Sequence, residues 1–132
     1  MSIKAYVRIR MRSKLLEARE ISERVGLQPT RSWAAGSRRG TSSIIELDNG
    51  WQLDSTLPPT SPIEEHLALL LQKTKAVASK IADLSDSGSA EVEVLCDIYA
   101  QAVPSLYVEK DIILAVANLH ACLDFDVVLV EG

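Results

Sequence analysis

Nucleophilic or metal chemistry in this chain would have to be built from two histidines, His66 and His120, and two cysteines, Cys96 and Cys122. A nucleophile needs a base within reach, itself oriented by a third group. His120 stands two residues before Cys122, and on a helix that spacing turns the side chains about 200° apart, so they form no local dyad. Nothing in the sequence brings Cys96 to a histidine. The two cysteines lack zinc-ligand spacing. Both lie in apolar segments, where a free thiol packs as a small hydrophobe, and a core position is expected for each. Glu64-Glu65-His66 reads as a cluster, yet it opens a helix, where acids complement the positive end of the dipole. Gly36-Ser37-Arg38-Arg39-Gly40 matches neither the Walker nor the dinucleotide pattern. The expectation is a protein that is not an enzyme and has no metal site and no cofactor.

Charge and aromatic placement are more informative. Residues 1–40 carry ten Lys and Arg against three acids, a net +7; residues 41–132 carry four against fifteen, a net −11, and together they make −4. Arg31, Trp33, Arg38 and Arg39 populate a polar loop, and tryptophan with arginine is a frequent pairing at binding hot spots. Backbone amides beside those arginines suit a phosphate or carboxylate, so a small-anion or nucleotide ligand is one reading of the loop. Tyr6, Arg8, Arg10 and Arg12 share one side of an alternating run, a pattern that binds single-stranded nucleic acid when it is free. Glu91, Glu93 and Asp97 lie on the matching side of a second alternating run. If the two runs are neighbours, arginine meets acid across the ladder, and nucleic-acid binding is disfavoured. Asp124 and Asp126, two apart on a strand, point to one face. With Glu91, Glu93 and Asp97 they are the acids available to steer a basic protein partner.

These residues must be positioned by a chain of 132 residues, 47% apolar and 24% charged, which fits one soluble domain over residues 1–132. No run of about 18 apolar residues appears, and Met1-Ser2-Ile3-Lys4 leads directly into alternation rather than a signal-peptide block, so a cytoplasmic location is expected. Ile3 to Arg12 alternate as a strand with one buried face. Leu15 to Val25 follow helical spacing, closed by Gly26 and Pro29. Residues 28–42 read as a loop. Ile44-Ile45-Glu46-Leu47 and Trp51-Gln52-Leu53 read as strands joined by an Asn49-Gly50 turn. Ser61-Pro62-Ile63-Glu64 reads as a capping box opening a helix to about Leu84. Residues 90–99 alternate again, Leu106-Tyr107-Val108 form a short strand, Asp111 caps a helix to about Cys122, and Phe125 to Val130 close the fold. The order β-α-β-β-α-β-β-α-β predicts an α+β fold, an antiparallel-dominated sheet with helices on one face, ferredoxin-like in its first six elements. Trp51 is expected in the core, and Trp33 either caps the sheet or faces a partner.

Four patches, in order along the chain, carry a resemblance. They are Val25-Gly26-Leu27-Gln28-Pro29-Thr30 with a following glycine, Trp51-Gln52-Leu53-Asp54-Ser55, Ile63-Glu64-Glu65-His66-Leu67-Ala68-Leu69-Leu70, and Leu119-His120-Ala121-Cys122-Leu123-Asp124-Phe125-Asp126-Val127. By them the chain resembles a bacterial family catalogued as domain of unknown function 4279. The resemblance implies a fold and a bacterial origin, and brings no activity to particular residues. Many bacterial families of this size and acidity are immunity or antitoxin proteins. The first expectation is therefore a non-enzymatic cytosolic module that binds another protein, such as a basic toxin. A small-anion ligand is second and single-stranded nucleic acid third; no membrane partner is expected, and a homodimer through a sheet edge is open.

Overall fold

The computed structural model describes residues 3–131. Strand β1, Ile3–Ser13, buries Ala5, Val7, Ile9 and Met11 and turns Tyr6, Arg8, Arg10 and Arg12 the other way, as its period-two pattern requires. Helix α1, Ala18–Val25, ends at Gly26, whose φ of 80° lets its N–H return to the Ser22 carbonyl at 2.8 Å. Strands β2, Arg31–Trp33, and β3, Asn49–Asp54, follow, then α2, Ile63–Thr74, a 3-10 turn, Lys75–Val77, and α3, Ala78–Asp86. Strand β4, Glu91–Ala100, helix α4, Lys110–Asn118, and strand β5, Cys122–Leu129, complete the chain.

The sheet order is β2-β3-β1-β4-β5. Each neighbouring pair among its first four strands is antiparallel, and these strands carry the ferredoxin-like β-α-β-β-α-β connectivity. Helix α4 is the crossover that a parallel neighbour demands, and it sets β5 alongside β4. All four helices pack on one face, α1 over β3, α2 over β1, α3 over β4 and α4 over β5. Between the layers lie Ile9, Met11, Trp51, Leu67, Leu70, Ile81, Val94 and Cys96. Full burial of each large apolar side chain there stabilises by about 1.5–3 kcal/mol. Trp51 is fully buried and satisfies its indole N–H by donating to Ser22 Oγ at 3.0 Å.

Several local expectations are corrected. The Asn49-Gly50 pair is not a turn: both residues lie inside β3. The hairpin connection is instead residues 34–48, a small arm in which Gly36 N–H donates to the Glu46 carbonyl and Arg39 N–H to the Ile44 carbonyl. Only an isolated bridge, Arg38 with Ile45, stands where a strand over residues 44–47 was expected. Residues 106–108 are coil rather than a strand, so one β drops from the expected order. The helix from Ile63 breaks after Thr74, whose buried hydroxyl donates to the Leu70 carbonyl at 3.0 Å, a bond that bends helices. Pro62, not Ser61, is the N-cap of α2, without a side-chain cap, and Glu109 rather than Asp111 precedes α4.

Gly50 is needed for space rather than for a left-handed conformation. It pairs with Trp33 across β2 and β3, and a Cβ built on it would overlap the Trp33 indole ring. The indole therefore rests on bare backbone on the helix-free face. Gly50→Ala is expected to expel the ring, adding a red-shifted component to tryptophan emission and costing about 1–2 kcal/mol in denaturant unfolding. Unchanged emission would show that Trp33 does not rest there.

Candidate functional site

The helix-free face is read directly from strand register. One cross-strand row holds Trp33, Gly50, Arg12 and Glu91; the next holds Arg31, Gln52, Arg10, Glu93 and Cys122. Beyond them run Asp54, Arg8, Leu95 and Asp124, then Tyr6, Asp97 and Asp126. The arginines of β1 meet the acids of β4 as expected. Arg8 donates to Asp97 at 2.9 Å, Arg10 to Glu93 at 3.3 Å, and Arg12 to Glu93 and Glu91 at 2.9 and 2.6 Å. Each pair is partly solvated and contributes little alone, roughly 0–1 kcal/mol, but shared carboxylates tie the pairs into a network.

Over this ladder the arm lays two further acids. Asp48 approaches Arg12 at 3.8 Å and Lys14 at 4.0 Å. Glu46, only 14% exposed, accepts from Arg39 at 2.8 and 3.4 Å. Arg39, Arg10 and Arg31 all draw the Glu46 carboxyl below its usual range, the Arg39 hydrogen bond most strongly. Between arm and sheet is a cavity of about 580 Å³, lined by Arg8, Arg10, Arg31, Trp33, Arg39 and Gln52 among others. Its size lies within the range of small-molecule sites, about 300–1,000 Å³. Arg10 Nε is buried there without a hydrogen-bond partner among the described residues. Among the described residues, no carboxylate lies within ion-pair distance of Arg31.

Of the expected loop residues, Arg31, Trp33 and Arg39 are brought together at this cavity, whereas Arg38 is exposed outside its lining. The sequence reading missed Gln52, Arg10 and Glu46 as members. The alternation of β1 exposed Arg10 as a ladder residue, but no local pattern signals that Glu46 folds back over it. Of the expected acids, Glu93 and Asp97 are half-buried in ion pairs and Glu91 is bound to Arg12, while Asp124 and Asp126 stand exposed on β5. Beside the cavity, Tyr6 and Tyr99 meet edge to face at 5.8 Å.

The cysteines divide. Cys96 is buried on the helix side, its thiol pushed up to about 12 by burial and then by Asp97. Cys122 is exposed on the opposite face, which corrects the expectation of a core position and keeps the two apart. The reason is register: β5 begins at Cys122, whose even-numbered side faces solvent. His120, at a φ of 52°, accepts Ser85 Oγ at its carbonyl, and its Nδ1 lies 2.6 Å from Asp86. Among the described residues, no three His, Cys, Asp or Glu side chains are grouped to hold a metal ion, and no helix is long and apolar enough to cross a membrane.

Fold and surface together define a five-stranded α+β domain, a ferredoxin-like core extended by one parallel strand, with a charged, loop-covered outer face. The chain belongs to the family described as Domain of unknown function (DUF4279), which matches residues 2–129. No curated protein and no solved structure matches it.

Two of the patches that carry the family resemblance are joined by a contact that the sequence did not reveal. Ser55 Oγ lies 2.6 Å from His66 Nδ1, and Nε2 of the same ring is buried, with only backbone groups of Pro58 and Ser61 near the ring and no hydrogen-bonded side chain among the described residues. The pair therefore lacks an acid at Nε2 to orient the ring, the third part of a nucleophilic triad. Burial holds the His66 imidazole below its ordinary value of 6.5. Between that depressed value and 6.5 the unfolded chain binds the extra proton, so His66 favours folding fully above pH 6.5 and loses this contribution as pH falls through the window. His66→Gln is expected to flatten this dependence, so the stability gap between the two proteins narrows from pH 7 to pH 5. A gap independent of pH, measured by urea unfolding, would show that the ring does not titrate this way.

Proposed function

We propose that the chain is a cytoplasmic, non-enzymatic binding module for a small anion, a carboxylate or phosphate group, taken up between the arm and the outer face of the sheet. The observation that supports this is the treatment of Glu46. Arginines from three separate elements, Arg10 of β1, Arg31 of β2 and Arg39 of the arm, act on one carboxylate inside a cavity large enough for a ligand. Glu46 thus serves as the protein's own specimen of the group the cavity suits. Planar guanidinium forks match carboxylate and phosphate oxygens in pairs, and Trp33 offers a flat apolar wall beside them.

The competing readings draw on groups already engaged. Arg8, Arg10 and Arg12 share their donors with Glu91, Glu93 and Asp97, which leaves few for a polynucleotide backbone. The same pairs occupy three of the five acids that would steer a basic toxin. A small anion needs only Arg31, the free Arg10 Nε–H and whatever Arg39 releases as Glu46 yields.

Thermal denaturation in sodium phosphate, against sodium chloride of equal ionic strength, tests the reading. Phosphate is expected to raise the wild-type Tm, since a ligand at a hundredfold its Kd stabilises by about 2.7 kcal/mol. Arg31→Ala, an exposed change costing within about 0.5 kcal/mol, should abolish the shift, and Glu46→Gln should enlarge it. No shift in either wild type or Glu46→Gln, or a shift indifferent to Arg31, would sink the idea.

A further inference from the structure

The two edges of the sheet are built differently. Exposed edges are ordinarily blunted by shortness, lysine, proline or a covering loop. At one edge β2 is three residues long and runs into the arm. At the other, β5 is eight residues long and, among the described residues, is hydrogen-bonded as a strand only to β4. Its second half continues into Val130, and Val127-Val128-Leu129-Val130 contain neither charge nor proline, with exposures between 38% and 58%.

Helix α4 extends the same surface. Asp111, Leu114 and Asn118 line a groove shared with Ala68, Leu71 and Gln72 of α2. Helical spacing then turns Ile113 and Ala117 away from α2, toward the β5 edge that α4 overlies. Ile113 is exposed there. Leu106 and Tyr107, also exposed, border a groove with Phe125 of β5.

We propose that this edge docks a second copy of the chain, β5 against β5, antiparallel, about a two-fold axis at Val128. The two sheets would then join into one of ten strands. Charge selects the register. An axis at Asp126 would set that carboxylate against its own copy, and like charges directly opposite repel. An axis at Val128 sets Val127 against Leu129 and Asp126 against Val130. The two Asp126 carboxylates then stand four residues apart along the strands, about 14 Å. That exceeds the screening length of about 8 Å at physiological salt. The uncharged run is thereby complementary to itself, and an isologous contact uses each apolar residue twice. Stable interfaces bury about 800 Å² a side and engage roughly 20–30 residues. An eight-residue strand falls short of that, so the Ile113 flank of α4 takes part as well. This inference is independent of the anion site, which lies at the other end of the sheet.

Light scattering on a sizing column, over a dilution series, is the first test. The wild type is expected to move from twice the 14.4 kDa chain mass to the single chain mass on dilution. Val128→Lys, which sets two ammonium groups across the axis, should be monomeric throughout while keeping the circular dichroism and the Tm of the diluted wild type. Register is tested by oxidation in a Cys122→Ser background: Val128→Cys should cross-link to its own copy, and Val127→Cys should not. A wild type that stays monomeric at every concentration overturns the proposal and leaves the edge to a foreign strand, one with basic residues for Asp124 and Asp126. A dimer that survives Val128→Lys, or cross-links through residue 127 instead, overturns it as well.

Discussion

A strand at the centre of a sheet is committed on both faces at once, and β1 carries that constraint for the whole molecule. Its inward side chains supply the floor on which α2 rests. Its outward ones include three arginines in alternate positions, and such a row is tolerable beside other strands only if the neighbours answer it. β4 does so on one side with Glu91, Glu93 and Asp97. On the other side β3 offers Gln52 and Asp54, which hydrogen-bond each other at 2.9 Å rather than pair with an arginine. The arm that brings Glu46 and Asp48 over the face makes up the difference. The long connection between β2 and β3 thus places its acids over the charged row of β1, and the cavity lies between the two.

What was legible in the sequence follows from how local each signal is. Period-two alternation revealed β1 and β4, and with them the arginine–acid ladder, because side-chain direction in a strand depends only on parity. The Gly26 stop and the buried Trp51 were legible for the same reason. Asn49-Gly50 misled because glycine has two uses that look alike in sequence. Gly36 and Gly40 take the positive φ values, while Gly50 gives up a side chain so that a distant indole can lie down. Cys122 misled because an apolar neighbourhood fixes a segment's average burial and not the parity of one residue at a strand's first position.

The candidate site was half legible. Arg31, Trp33 and Arg39 could be singled out because polar loops seldom hold a tryptophan between arginines. The rest comes from the long-range fold: Arg10 and Gln52 enter from strands whose pairing is set elsewhere, and Glu46 enters because the arm doubles back. Similarly, Ser55 follows β3, its N–H bound to the Val7 carbonyl of β1, and the packing of α2 against β1 brings His66 to it.

The same ladder has a temporal side. Arg8 and the Asp97 that neutralises it are 89 residues apart. A ribosome adding about 5–20 residues each second leaves that arginine unanswered for roughly 4–18 s. Within that interval the emerging chain stays cationic, from the net +7 of its first forty residues down to neutrality when Asp97 is added. The finished protein is an anion overall, yet its nascent form is a basic peptide beside ribosomal RNA, brought to neutrality as β4 arrives and turned negative only by the acids that follow it.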